Sequence, residues 1–181
     1  MLEQLITVFG EERVKKCLSS HNETSFYVAE NLKTKRSYVL VALNDINEEE
    51  CFKVVNLGNQ PVHFLAIDEC FLTEKYGYTD KKCDFIVFND TKICFVELKT
   101  NVKRRNKVKE RLRTAKKQLA ATINFFREYI DLSSYQLEAI YVLRKKFYLA
   151  QRGEMKLDFY NTYEVTLEGT NTTTFNTRPK T

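Results

Sequence analysis

At 181 residues the chain has room for one domain with a real core and too little for two comfortable ones. Its 43% hydrophobic, 13% aromatic and 29% charged content excludes a disordered chain, and no run approaches the roughly 18 uninterrupted apolar residues of a membrane span. The net charge of +5 is local, because Val102 to Lys117 carries nine basic residues and one acid, Glu110, which leaves the remainder slightly acidic.

The start, MLEQLITVFGEERVKK, lacks the cationic run and apolar centre of a secretory leader, so a cytoplasmic protein with no membrane contact is expected. Leu2, Leu5, Ile6 and Phe9, then Val14, Cys17 and Leu18, fall at helical spacing, which predicts one helix or two short ones around Gly10 over residues 2 to 19. TSFYVAEN and RSYVLVALN, separated by polar LKTK, predict a hairpin. The acidic NEEE at 47 to 50 reads as a solvated turn. The apolar runs on either side of LGNQP then predict a second hairpin or strand pair.

From Asn106 to Ile130 the apolar positions Val108, Leu112, Ala115, Leu119, Ile123, Phe126 and Ile130 recur every three or four residues, the stripe of one long helix. A strand is expected at Glu138 to Arg144, and short late strands at KLDFY and YEVTLEG. The Thr/Asn-rich end is left as a tail or an edge strand. The five cysteines (17, 51, 70, 83 and 94) are odd in number and scattered, with neither zinc-site spacing nor the look of a disulfide framework, and His63 and Cys70 are expected as separate core or surface residues rather than as a shared metal site.

The informative stretch is KKCDFIVFNDTKICFVELKTNVKRRNK, Lys81 to Lys107. If DFIVF and ICFVELK pair across NDTK with Phe88 opposite Ile93, Asp84 falls directly across from Glu97, and like charges so placed are destabilising unless something holds them. Glu97 and Lys99, two apart, share the face that carries Asp84. A hairpin end with a surface ion pair, Glu97 to Lys99 or Asp84 to Lys82, is the plain alternative. Two carboxylates and a lysine at one end of an apolar sheet suit metal-assisted phosphodiester hydrolysis: the carboxylates bind Mg²⁺ through oxygen, and the lysine orients water or offsets charge.

Asp84, twelve residues, then Glu97-Leu98-Lys99, ahead of a long amphipathic helix, resembles the PD-(D/E)xK nuclease superfamily, the restriction-endonuclease-like fold. The likeness covers about residues 83 to 130 and the strand after them. It lacks the proline before the aspartate, where Cys83 stands. It implies an α/β (α+β mixed) single domain with a mixed four-stranded central sheet flanked by helices. Residues 1–75 would supply an N-terminal helix and hairpins, 76–145 the catalytic core and 146–181 late strands and a tail. It further implies Asp84 and Glu97 as ligands of Mg²⁺ (or Mn²⁺), Lys99 as the catalytic lysine, Gln118 as a helix glutamine of the site, and Glu69 or Glu74 as a further ligand.

The cationic run Lys103, Arg104, Arg105, Lys107, Lys109, Arg111, Arg113, Lys116 and Lys117 is the expected nucleic-acid surface, since neutralising phosphates relieves its self-repulsion and releases counterions. Tyr76 and Tyr78 are candidates for base stacking. The activity expected is that of a DNA endonuclease, with sequence specificity drawn from a homodimer or a protein partner, or absent. The competing readings are a non-catalytic nucleic-acid-binding or scaffold subunit and a protein whose basic helix docks on an acidic surface.

Overall fold

A computed structural model describes residues 1–31, 33–43, 47–58, 60–73, 77–78, 80–102, 104–144, 147 and 153–176. The expected N-terminal helix is two, α1 (Leu2–Phe9) and α2 (Glu11–Cys17), because Gly10 between them adopts φ 84°, a left-handed conformation that breaks the helix and that glycine tolerates. The chain then runs directly into β1 (Leu18–His21). Strands β2 (Ser25–Glu30) and β3 (Ser37–Leu40) form the predicted hairpin, with Tyr27 across from Leu40.

The second expected hairpin does not exist. Strands β4 (Phe52–Asn56) and β5 (Val62–Ala66) flank the LGNQP turn but join different sheets: β4 pairs with β2, and β5 pairs with β1. The Asn56 side chain, which accepts from the Gly58 N–H (3.2 Å) and donates to the Gln60 carbonyl (3.2 Å), holds the crossing between layers.

After β5 the chain makes an irregular turn, Ile67–Phe71, then β6 (Phe85–Phe88), β7 (Lys92–Leu98), α3 (Val108–Tyr129), β8 (Gln136–Val142), α4 (Gly153–Tyr163), β9 (Thr166–Gly169) and β10 (Thr172–Phe175). KLDFY, expected as a strand, lies inside α4. Strands β8 and β9 are parallel neighbours and need a crossover between them, which α4 supplies, as α3 does between parallel β7 and β8. The polar C-terminal stretch does contribute an edge strand, β10 parallel to β4.

The result is one domain of two mixed sheets flanked by helices, in the orders β1-β5-β6-β7-β8-β9 and β10-β4-β2-β3. Lys92 joins the sheets: its ammonium donates to Glu138 on β8 (2.9 Å), the Thr173 hydroxyl (3.0 Å) and the Thr174 carbonyl (3.2 Å) of β10. The buried stripe of α3, Val108, Ala115, Leu119, Ile123 and Phe126, is the one its sequence spacing predicted. Phe126 meets Phe95 of β7 and Phe71 of the irregular turn. Burying each such side chain contributes about 1.5–3 kcal/mol.

Cys17 and Cys70 are joined in a disulfide rather than separate, since the pairing of Leu18 with Leu65 brings the end of α2 to the turn after β5. Cys51, Cys83 and Cys94 are buried thiols. No helix among the described residues is long and apolar enough to cross a membrane.

Candidate active site

The β6–β7 hairpin has the register that the sequence suggested. The Asn89 side-chain oxygen accepts from the Thr91 N–H (3.0 Å), the Thr91 hydroxyl (3.0 Å) and the Lys92 N–H (2.9 Å), and the Asn89 N–H donates to the Lys92 carbonyl (3.0 Å). So closed, the turn sets Phe88 across from Ile93 and Phe85 across from Val96. The ladder ends there: Asp84, just before β6, donates its N–H to the same Val96 carbonyl (3.1 Å) instead of pairing directly with Glu97 as the sequence suggested, and it remains close enough for its charge to act on Glu97.

Asp84 is held through its backbone and its side chain. Its N–H donates to the Val96 carbonyl (3.1 Å), and its carbonyl accepts from the amides of Ile67 (3.0 Å) and Asp68 (3.2 Å). One carboxylate oxygen accepts the Leu98 N–H at 2.5 Å. The side chain is nearly buried, and that burial pushes its pKa up to about 7, against the pull of Lys99 and the Leu98 N–H and with the help of the negative charges of Glu30 and Asp68.

Glu97 has no solvent exposure at all. Oε1 accepts from the Lys99 ammonium, while Oε2 is buried with no hydrogen-bond partner among the described residues. Burial first, then the charge of Asp84, hold its pKa well above the ordinary carboxylate range, with Lys99 opposing. Lys99 is fixed in turn where its N–H donates to the Val142 carbonyl (2.7 Å) at the end of β8. The next residue is clamped too: Arg144 donates to the Thr100 carbonyl (2.8 Å) and pairs with Glu50 (2.6 Å).

The upstream carboxylate whose charge reaches this pair is Asp68, not its neighbour Glu69, a residue the family resemblance implies. Asp68 raises the pKa of both Asp84 and Glu97 and accepts Lys82 at 3.4 Å, so Lys82 is not the partner of Asp84. Glu69 is exposed at φ 55°. The irregular turn has neither helical nor strand periodicity, so spacing could not tell which of two adjacent acids turns inward. Glu74 lies outside the described residues.

Gln118 reaches the segment that leads into Asp84: its amide donates to the Lys82 carbonyl (2.8 Å). One turn along α3, the Thr122 hydroxyl accepts the Cys83 N–H (2.8 Å) and donates to the Gln118 carbonyl (3.0 Å). Nothing in the sequence marked Thr122 beyond its place on the inner face of the helix. Tyr78 is not placed for base stacking: it is buried, edge-on to Phe125, with its hydroxyl donating to the Lys81 carbonyl (3.1 Å), and desolvation raises its pKa to about 12. Tyr76 lies outside the described residues.

Of the nine cations, Lys103 is outside the described residues. Lys116 is paired with Asp158 of α4 and Lys107 with Glu110 (3.1 Å). Arg104, Arg105, Lys109, Arg111, Arg113 and Lys117 are exposed with no carboxylate partner among the described residues. Most of them crowd the N-terminal end of α3, where the helix dipole disfavours positive charge.

No family model, curated protein or solved structure matches the chain. Among the described residues there is no group of three or more His, Cys, Asp and Glu side chains placed to hold a metal. Any cation here would rest on Asp84 and Glu97, completed by water and substrate oxygens, a ligand set that Mg²⁺ commonly accepts.

Proposed function

We propose that the protein is a divalent-metal-dependent nuclease that cleaves DNA internally, built on a restriction-endonuclease-like core. The observation that carries this is Glu97, a fully buried carboxylate beside a second carboxylate, with one oxygen engaged by Lys99 and the other without a partner among the described residues. With both carboxyls ionised, this pair and its one lysine carry a net negative charge in a desolvated place, which is costly unless a proton or a cation completes it. Strands β5 to β8, antiparallel, antiparallel and then parallel with α3 as the crossover, support the core. DNA as substrate rests on the family resemblance.

Asp84 and Glu97 would hold Mg²⁺ or Mn²⁺, which when bound supplies Lewis acidity and lowers the pKa of water. Lys99, anchored on Glu97, would orient the attacking water and offset negative charge on the phosphoryl group. Gln118 would keep the approach to Asp84 in place. The unpaired cations along α3 would draw the phosphate backbone toward a site that is itself acidic.

The test is incubation with supercoiled plasmid, linear duplex, single-stranded DNA and RNA, with Mg²⁺, Mn²⁺ or a chelator, beside Lys99→Ala. Metal-dependent plasmid cleavage that the variant loses while it still binds DNA is the expected result. Binding without cleavage and without metal affinity would leave a scaffold subunit instead.

A further inference from the structure

Residues 81 to 84 approach β6 as irregular chain, and buried backbone groups there need partners that no sheet ladder supplies. Helix α3 supplies two. Gln118 takes the Lys82 carbonyl, and Thr122, with no solvent exposure, takes the Cys83 N–H. The Thr122 hydroxyl also donates back to the Gln118 carbonyl, which turns its lone pair toward Cys83 and fixes its direction. Adjacent Cα atoms lie about 3.8 Å apart, so pinning the Cys83 amide leaves Asp84 little freedom. From the other side the Ile67 and Asp68 amides hold the Asp84 carbonyl, and Leu98 holds its carboxylate.

We infer that Thr122 is a positioning residue that holds Asp84 beside Glu97 through the Cys83 amide. The role rests on the reading of Asp84 and Glu97 as ligands of a divalent cation. It assigns to the core of α3 a task separate from its exposed cationic face. A hydroxyl is required and a methyl is not, so Thr122→Val, which keeps the shape and loses the hydroxyl, is the damaging change and Thr122→Ser the tolerated one.

The experiment measures four things on wild type, Thr122→Val and Thr122→Ser: amide exchange at Cys83, Mn²⁺ affinity by titration, and kcat and KM for DNA cleavage. In Thr122→Val, Mn²⁺ affinity and kcat are expected to fall about 10-fold or more. KM should stay within about twofold, since Thr122 touches no substrate. Exchange at Cys83 should quicken about 10-fold, and Thr122→Ser should stay close to wild type in all four. Unchanged Mn²⁺ affinity and exchange in Thr122→Val, or equal loss in Thr122→Ser, would overturn the inference. If Thr122→Val does not fold, Gln118→Met, which gives up the bond to the Lys82 carbonyl, must reproduce the loss of Mn²⁺ affinity with KM unchanged. A wild type that neither binds Mn²⁺ nor cleaves would refute the nuclease reading itself, and with it any role for Thr122 toward a metal; that result differs from one in which the wild type works and Thr122→Val works equally well.

Discussion

Replacing Glu97 by glutamine should disable the protein and, in a chelator, make it more stable. Glu97 is fully buried, and the group it forms with Asp84 and Lys99 carries a net charge of −1 when both carboxyls are ionised. Glu97→Gln leaves Lys99 with Asp84, whose pKa it already pulls down, as a neutral pair of nearly unchanged shape. Replacing badly compensated buried charge by neutral groups is worth about 1–4 kcal/mol, and for a chain of this size each kcal/mol moves Tm by about 2–4 °C. The sign depends on pH. Both carboxyls have pKa values raised by folding, so they contribute stability below their unfolded values, and it is lost as pH rises, for Asp84 between 3.8 and about 7. The metal-free wild type should therefore lose stability across that range, and the lead of Glu97→Gln should open as pH rises and close near pH ~4. Metal should reverse the order: at about 1,000 times its Kd, Mg²⁺ adds about 4.1 kcal/mol to the wild type and little to the variant. Thermal melts of both proteins over pH, with Mg²⁺ or chelator, read all of this. A variant that melts below wild type in chelator at about pH 8, or that gains as much from Mg²⁺ as wild type does, would refute the account.

The cations separate by partner. Arg105→Ala and Arg111→Ala should each reduce the salt dependence of DNA binding by roughly 0.7–0.9 in log–log slope, as loss of one phosphate contact does. Lys116→Ala, whose charge Asp158 already neutralises, should change it little, and fluorescence anisotropy over a salt series distinguishes them. The disulfide between Cys17 and Cys70 closes a loop across 53 residues, which by chain entropy is worth about 4 kcal/mol. Reductant should lower the Tm of wild type and leave Cys17→Ser unmoved, and equal melting of wild type with and without reductant would count against the bridge.

Local patterns were legible where a single element or a tight turn carried them. The turn residues Asn89 to Lys92 fix the hairpin register, which sets Phe85 opposite Val96 and so brings Asp84 to the end of β7 that carries Glu97. The spacing of α3 likewise predicted its buried stripe. Asp68 was not legible, because the turn that carries it follows no period. Nor was α4, since KLDFY alternates like a strand while only Phe159 of that helix is buried.

The sequence by itself thus determined the hairpin, the long cationic helix and the two carboxylates with their lysine, all of which depend on contacts near in the chain. Tertiary structure decided which strands share a sheet, sending β4 and β5 apart and bringing β10 beside β4, because strand partners are chosen by burial across the whole core. It also joined Cys17 to Cys70, tied Lys116 to α4, and set Thr122 and Gln118 against the residues before Asp84. Those contacts span 36 residues or more, and no local spacing encodes them.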